Sequence, residues 1–397
     1  MSINTGVVTP SGQPLRILFV TAWYPTQANP HWGIFVREHA KAASLYNDIT
    51  VLHCHGRNSQ LDHWWQLSET RELALTEDIP TYVLQHRPSP LPRTSYFLRY
   101  GALLKAYQQL VRQGFRPDIL HAHVHQVALP VTLLGKLYGI PVVITEHHSV
   151  FPRQMLSKLD LLEARCAFPL AEKVLPVSKA LQHGIERYGI RARFQVVPNV
   201  VDNSLFYRVE NQTALTTRPK QLLCVATMPP THVKGITFLL EALAQLYTHR
   251  QDWELTIIGD GPVRGEYEQK TYELGLSNHV HFWGGRPKAE VAAAMRKSDL
   301  FVLPSLWENM PCVLIEAMSS GLPIVSTRTG GIPEIVDPDV GLLAQPGDVS
   351  SLHEALNTML DNFVNYDRCQ ISAKAQQRYS YEAVGHLFDL IYRECLK

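Results

Sequence analysis

The chain has 397 residues, 45% hydrophobic and 18% charged, with a net charge of +1. That is the composition of a soluble globular protein, and the length suffices for two domains with a core each. No apolar run approaches the roughly 18 residues of a membrane-spanning helix. The first residues, MSINTGVVTPSGQPLR, lack the basic start and apolar stretch of a signal peptide. Six scattered cysteines form no CxxC, so neither a disulfide framework nor a zinc knuckle is expected, and a reducing cytoplasm is the expected location.

RILFVTAWY (16–24) is a continuous apolar run, as in a strand buried on both faces. A helix, GIFVREHAKAASLY, and a strand, DITVLHCH, follow. A looser polar stretch leads to the strand TYVLQHR and the helix SYFLRYGALLKAYQQLVRQG. Next come DILHAHV, another helix, PVVITEHH, a helical region to about 170, KVLPVS, the helix KALQHGIERYG and the strand FQVVPN. DNSLFYRVENQTALTTRPK (202–220) reads as a linker. The alternation then restarts with QLLCVAT, GITFLLEALAQLYTHR, WELTIIGD, a charged helix, HVHFWG, PKAEVAAAMRKS, LFVLPS, a helix after Glu308, LPIVST and VGLLAQPG. From Asp348 the pattern is helical, ending in the amphipathic YEAVGHLFDLIYREC (381–395).

Alternating strands and helices imply parallel sheets. Two such series imply an α/β protein of two Rossmann-like domains facing each other across a cleft, with ligands at the carboxyl ends of the strands. The expected division is 1–202, 203–375 and a final helix, 376–397.

Charge is uneven. Residues 1–200 carry 20 Lys/Arg against 13 Asp/Glu, and the remainder 17 against 23. Between Asp78 and Asp118 there is no acid, while Arg87, Arg93, Arg99, Lys105, Arg112 and Arg116 fall inside. A basic helix with aromatic residues can rest on an anionic membrane, which makes residues 87–116 a candidate for peripheral contact at the inner membrane face. The alternative is a solvated face on a packed helix.

WENMPCVLIEAM (307–318) carries the chemistry. Glu308 and Glu316 are eight positions apart; on one helix that is about 80° and roughly 12 Å, too far to share a proton. They read instead as two contacts on one extended ligand. Pro311 suits a first helical position and Asn309 an N-cap. The amides of Met310 to Val313 would then form an anion site with one carboxylate on each side. A nucleotide sugar offers sugar hydroxyls, diphosphate and ribose in that order.

The segment PSLWENMPCVLIEAMSSGLPIVSTRTGGIPEIV closely resembles the donor-site signature of the retaining glycosyltransferases of family 4, which have the GT-B fold. The resemblance continues in VKG (233–235), IIGDGP (257–262), HFWGG (281–285), PNVVD (198–202), PVS (176–178), GIFVREHA (33–40) and HAH…ITEHH. It spans nearly the whole chain. It implies transfer of a sugar, with retention, from a nucleotide-diphosphate sugar as co-substrate to a carbohydrate or lipid-linked acceptor, in cell-surface polysaccharide or glycolipid assembly. It implies no metal or other cofactor and a last helix that crosses back to the first domain.

Residue by residue, the resemblance implies that Glu316 binds the ribose hydroxyls and Glu308 meets the donor sugar. Backbone amides of Asn309, Met310, Cys312 and Val313, around Pro311, would hold sugar hydroxyls and phosphate. Lys234 would bind the diphosphate, and Gly33 would let the first loop approach it. Gly259, Trp283, Gly284 and Arg286 belong to the donor-side loops, with the base at Trp283–Gly284. His147 matches the active-site histidine; His123 and His148 lie on the acceptor side. The family usually carries an Arg about six residues before the KG lysine; Thr227 and Met228 stand there instead. Lys234, a helix N-terminus, and His232 or Arg286 are expected to supply the positive charge a leaving diphosphate needs.

Other readings stay open. His53 and His55, His121, His123 and His125, and His147 and His148 allow a zinc arrangement with Glu146 or Asp118, and so a metal-dependent hydrolase. A non-catalytic sugar-nucleotide binder is another alternative. GDGPVRG has the wrong spacing for a dinucleotide loop, and the Asp337–Asp339 DPD triplet lacks sugar-site context. No nucleic-acid module is present. The base, the sugar and the acceptor are not legible.

Overall fold

The computed structural model describes residues 12–29, 32–70, 78–89, 94–209 and 218–397. Two compact units emerge. Unit 1 comprises Met1–Val177, Gly184–Val197 and Val384–Lys397; unit 2 comprises Ser178–His183 and Pro198–Ala383. The last stretch of chain therefore belongs to the first unit.

Unit 1 is built on a seven-stranded sheet in the order β3-β4-β2-β1-β5-β6-β7. The strands are β1 (Arg16–Thr21), β2 (Asp48–Arg57), β3 (Trp65–Thr70), β4 (Thr81–His86), β5 (Ile119–His123), β6 (Val142–Glu146) and β7 (Lys173–Pro176). The central strands β5 and β6 are buried at every position, and β1 at all but its first, as their uninterrupted apolar runs demand. The looser stretch around 56–80 contains β3, an antiparallel edge strand paired with β4. Its alternation of half-buried and exposed residues leaves little apolar signal. The expected strand FQVVPN does not form; it makes only a single bridge, Val174 to Phe194.

The helices of this unit are α1 (Ile34–Ser44), α2 (Thr94–Arg112), α3 (His125–Tyr138), α4 (Lys158–Ala167) and the end of α5 (Lys179–Glu186), from Gly184 on. The basic helix α2 buries Ala102, Leu103, Ala106, Tyr107 and Leu110, a stripe at helical spacing. Lys105 and Arg112 face solvent, and Arg99 turns to Glu163 at 3.2 Å. Residues 90–93 of the expected membrane-contact segment lie outside the described residues.

Unit 2 carries a six-stranded parallel sheet, β10-β9-β8-β11-β12-β13. Its strands are β8 (Lys220–Val225), β9 (Trp253–Ile258), β10 (Val280–Gly284), β11 (Leu300–Leu303), β12 (Ile324–Thr327) and β13 (Gly341–Ala344). Between them run α6 (Ile236–Tyr247), α7 (Arg264–Glu273), α8 (Lys288–Lys297), α9 (Cys312–Ser319) and the short α10 (Ile332–Ile335). In α6, Ile236, Leu239, Leu240, Leu243 and Leu246 are all fully buried, each worth about 1.5–3 kcal/mol of apolar transfer. Two helices complete the unit, α11 (Val349–Asn362) and α12 (Arg368–Tyr379), capped by Asp348 and Asp367 side chains that accept from first-turn amides.

Helix α13 (Tyr381–Cys395) returns to unit 1. There Val384, Phe388, Ile391 and Tyr392 are buried.

In each sheet the winding reverses once, between β1 and β5 in unit 1 and between β8 and β11 in unit 2. Such reversals leave a crevice at the carboxyl ends of the two strands. Thr21 and His123 end the first pair. VATM (225–228) and PSLWEN (304–309) follow the second.

Candidate active site

In unit 2, the loop after β8 ends at Lys234 and the loop after β11 carries Glu308. Lys234 Nζ donates to Glu308 Oε1 at 2.5 Å, and Ser305 Oγ donates to the same oxygen at 2.8 Å. The pair is mostly shielded, with side chains 23% and 11% exposed. A charge pair in that setting is stronger than one on open surface, because water screens it less.

The surrounding backbone is fixed by neighbouring loops. Leu306 N donates to Val233 O at 2.8 Å, joining the two loops directly. Asn199, in PNVVD, donates from Nδ2 to Met310 O at 2.8 Å while itself buried. Gly330 sits at φ 51°, and a Cβ there would lie 1.6 Å from Glu308 O. Only glycine allows the loop after β12 to press against the Glu308 backbone.

Helix α9 starts at Cys312. Pro311 is its cap residue in extended conformation (φ −71°, ψ 116°), without a side-chain capping bond. The cap thus falls two residues after the expected Asn309, and the first helical residue one after the expected Pro311. The proline fixes φ, and pinning the Met310 carbonyl to Asn199 keeps the preceding chain extended. The amides of the first turn, including Val313, have no intrahelical acceptor by the geometry of any α-helix. Glu316 lies in the second turn, 8% exposed.

The remaining donor-side residues separate into two groups. Gly259 N donates to Gly284 O at 2.9 Å, so the loops after β9 and β10 are joined. Trp283 is 46% exposed, available as a stacking surface. Arg286 instead bonds the Trp283 carbonyl and pairs at 3.5 Å with Glu290 in the first turn of the following helix, α8. His232 is engaged by Tyr267 at 2.9 Å and Glu266 at 3.6 Å. Neither of them joins the Lys234–Glu308 pair, so at this pair Lys234 is the cation the structure provides. The DPD carboxylates pair with Lys374, Asp337 at 3.1 Å and Asp339 at 2.7 Å.

In unit 1, the turn after β6 is organised by Glu146, which is fully buried. Its Oε1 accepts from the amides of His147 (2.8 Å) and His148 (2.7 Å), and its Oε2 from the amide (2.7 Å) and ring Nδ1 (3.2 Å) of His125. Burial alone would raise its pKa, but His125 and the amides hold it below the usual carboxylate value. His125 is raised in turn: Glu146 outweighs the effect of burial. Gly33, at φ 68°, precedes α1; a Cβ there would fall 2.4 Å from the Trp23 carbonyl carbon. In this structure its lack of a side chain serves contact with the loop after β1.

His147 lies between Phe35 (ring centroids 4.4 Å) and His39 (5.2 Å), both from α1. His123 Nδ1 approaches His147 Nε2 at 3.4 Å. His121 is satisfied at both nitrogens, by Tyr392 OH and Thr145 Oγ1, each at 2.7 Å. His148 Nδ1 accepts from the Val150 amide at 3.1 Å, and its ring packs 4.6 Å from Trp23. Beside these residues a cavity of about 480 Å³ is lined by Trp23, Trp32, His55, Arg57, Arg99 and Asp160, among others. That is the size of a small-molecule site, with aromatic faces and both signs of charge, as suits a sugar.

The expected metal sets do not assemble. Glu146 is committed to His125 and the turn amides, Asp118 pairs with Arg16, and His121 is bonded at both nitrogens. His53 and His55 contact each other at 5.2 Å. Among the described residues, the group that could hold a metal ion is His39, His123 and His147, with ligand atoms within 4.8 Å of one another. Two of its nitrogens, His123 Nδ1 and His147 Nε2, face each other at 3.4 Å. His39 had escaped the sequence reading, 84 positions from His123 and inside a helix.

Residues 208–378 match the family model Glycosyl transferases group 1, and residues 63–205 that of Glycosyltransferase Family 4. The chain belongs to the family 4 glycosyltransferases. It is 34% identical over 172 residues to an MMP alpha-(1->4)-mannosyltransferase of Mycolicibacterium hassiacum, spanning 43% of this chain and 40% of that one. It is 28% identical to TuaC of Bacillus subtilis, a glycosyltransferase assigned to teichuronic acid biosynthesis, over 94% of this chain and 95% of the relative. Among solved structures, Anabaena HepE in complex with UDP superposes with a TM-score of 0.75 at 20% identity, covering 96% of this chain and 100% of HepE. The fold is GT-B.

Proposed function

We propose that the chain is a retaining glycosyltransferase of hexosyl type, moving a sugar from a nucleotide-diphosphate sugar to a hydroxyl of a carbohydrate or lipid-linked acceptor in polysaccharide or glycolipid assembly. The observation that carries this reading is the Lys234–Glu308 pair at the crevice of the unit 2 sheet, in the same segment as the N-terminus of α9. HepE, solved with UDP, and TuaC, assigned to teichuronic acid, support a nucleotide donor and a cell-surface product.

In this reading Lys234 and the first-turn amides of α9 receive the diphosphate, where negative charge grows as the sugar–phosphate bond breaks. Glu308 accepts from hydroxyls of the sugar and Glu316 from those of the ribose. Trp283–Gly284 meets the base. The acceptor hydroxyl attacks from the face the diphosphate leaves, and a phosphate oxygen takes its proton. His147 contacts the sugar, and His123 and His148 belong to the acceptor side. Lysine and backbone dipoles supply the charge that a metal supplies elsewhere, so no cofactor is needed.

Contact with an anionic membrane belongs to the same proposal. Phe97 is 75% exposed on α2, with Lys105 and Arg112 on the same helix, and the adjoining α3 exposes Leu137 (67%). Among the described residues no helix is long and apolar enough to cross a membrane, so such contact would be peripheral.

The test is a thermal-shift screen of UDP, GDP and ADP and their sugars. A true donor at 100 times its Kd stabilises by about 2.7 kcal/mol, and Glu308→Ala separates binding from transfer. If no nucleotide shifts the midpoint, the proposal fails. A binder that transfers no sugar to any acceptor would identify a non-catalytic protein.

A further inference from the structure

We infer that the acceptor carries a negative charge, a carboxylate or a phosphate on its sugar, and that Arg57 is the residue that binds it. The inference rests on the proposed transfer to an acceptor and names the chemical class of that acceptor.

The unit 1 cavity of about 480 Å³ adjoins the acceptor-side histidines. Trp23, one of its lining residues, packs 4.6 Å from His148, and Trp32, half exposed, stands 5.2 Å from Trp23. Four consecutive residues of β2, Cys54 to Arg57, line the same cavity. A regular strand cannot send four neighbours to one side, because its side chains alternate. Here the pairing with β4 slips by one residue between Cys54 and Gly56, and Gly56 sits at φ 97°. The extra residue re-aims the end of the strand, as bulges beside binding sites do, and brings Arg57 to the cavity.

Charge decides what the cavity takes. Its lining holds two guanidiniums, Arg57 and Arg99, against one carboxylate, Asp160. That carboxylate is turned to its own helix: Oδ2 accepts from Ser157 Oγ at 2.6 Å in the first turn of α4, where the helix dipole favours an anion. Arg99 is held by both oxygens of Glu163, at 3.3 and 3.2 Å. Arg57 is exposed and makes no hydrogen bond or ion pair among the described residues. A guanidinium offers only donors, in a planar fork that fits the two oxygens of a carboxylate or phosphate. A neutral sugar is better served by an open carboxylate, which takes hydroxyl protons, and the carboxylate here is already engaged. Gln126 Oε1, buried and without a partner among the described residues, is left for one sugar hydroxyl. The acceptor sugar lies against the Trp32 face with its anionic group at Arg57.

Ligand-observed NMR titrations of the full chain with glucuronic acid, glucose 1-phosphate and glucose give the three dissociation constants. At least one of the two anionic sugars is expected to bind on the order of tenfold or more tightly than glucose, the scale of a hydrogen bond between charged groups. The tighter of the two tells carboxylate from phosphate. Arg57→Gln, a change at an exposed position that the fold should tolerate, is expected to remove the advantage. Glucose 1-phosphate can also engage Lys234 in unit 2, so dependence on Arg57 is the deciding result. The inference is overturned if neither anionic sugar outbinds glucose, or if Arg57→Gln leaves their affinity unchanged. Failure of the nucleotide screen with this binding intact would instead remove the transferase reading and leave the anion site standing.

Discussion

Lys234 and Glu308, 74 positions apart in the chain, meet as a charge pair at 2.5 Å with Ser305 on the same carboxylate oxygen. The diphosphate ligand proposed for this place would compete for Lys234 and hand Glu308 the sugar hydroxyls. Lys234→Ala and Glu308→Ala should each lower kcat on the order of 10²–10³-fold, the range for removing a single charge-stabilising group. Steady-state kinetics with the donor found by thermal shift provides the check. A loss confined to KM would show that the pair only binds.

Asn199 makes a prediction about positioning. Its bond to Met310 O ties down the chain just before α9. Asn199→Ala leaves that carbonyl without its donor in a buried place, a cost of about 1–3 kcal/mol, visible as a lower urea midpoint. Asn199→Asp, which replaces the donor with a second acceptor, should cost more.

Gly330→Ala should disturb the site from outside it. The new methyl would fall on the Glu308 carbonyl at 1.6 Å, and φ is already in the left-handed region. The loop must move, so a drop in the melting midpoint is expected together with a loss of transfer. Unchanged activity would mean that the Glu308 backbone is not held from this side.

Acidification should destabilise unit 1. His53 is lowered to about 4 by burial and by His55, and burial also lowers His121, His123 and His148. Unfolding lets each take up a proton below about pH 6.5. The unfolded state then binds more protons, and stability falls as pH falls from 6.5 toward 4. His125 has the opposite sign: its raised pKa adds stability present below pH 6.5 and lost as pH rises through the higher folded value. Four groups outweigh one. Each net proton contributes roughly 1.4 kcal/mol per pH unit, and denaturation midpoints measured across pH 4–7.5 will show the slope. His121→Gln should flatten it.

Metal removal should be without effect on transfer. Dialysis against EDTA is expected to leave kcat unchanged, and elemental analysis of purified protein should find substoichiometric zinc. A one-to-one zinc content lost in His39→Ala would overturn the metal-free mechanism proposed above and mark the three-histidine group as a zinc site.

Legibility followed burial. Strands such as β1, β5 and β6 announce themselves because both faces are covered, and the alternation of elements is enough to give two parallel sheets. β3 was hidden because an edge strand with exposed Gln66, Ser68 and Glu69 carries no apolar pattern. Glu308, Lys234 and the start of α9 could be read from local motifs, since each works through nearby backbone. Their mutual contact could not, because a separation of 74 residues is closed only by the sheet. The same holds for His39 joining His123 and His147. Sequence spacing placed the cap at Asn309, two positions early, because the extended backbone at Pro311 is set with the bond that distant Asn199 makes to the Met310 carbonyl.

The Tyr392 hydroxyl, bonded to His121 beside the stacked rings of Phe388 and Tyr392, bears on how the molecule is made. During synthesis the first sheet leaves the ribosome well before residues 384–397 exist, so a socket of apolar and imidazole surface stays open while all of unit 2 is produced. Nascent chains would be vulnerable to proteases and chaperone capture throughout that interval, and a stop codon ahead of Phe388 would damage the domain translated first.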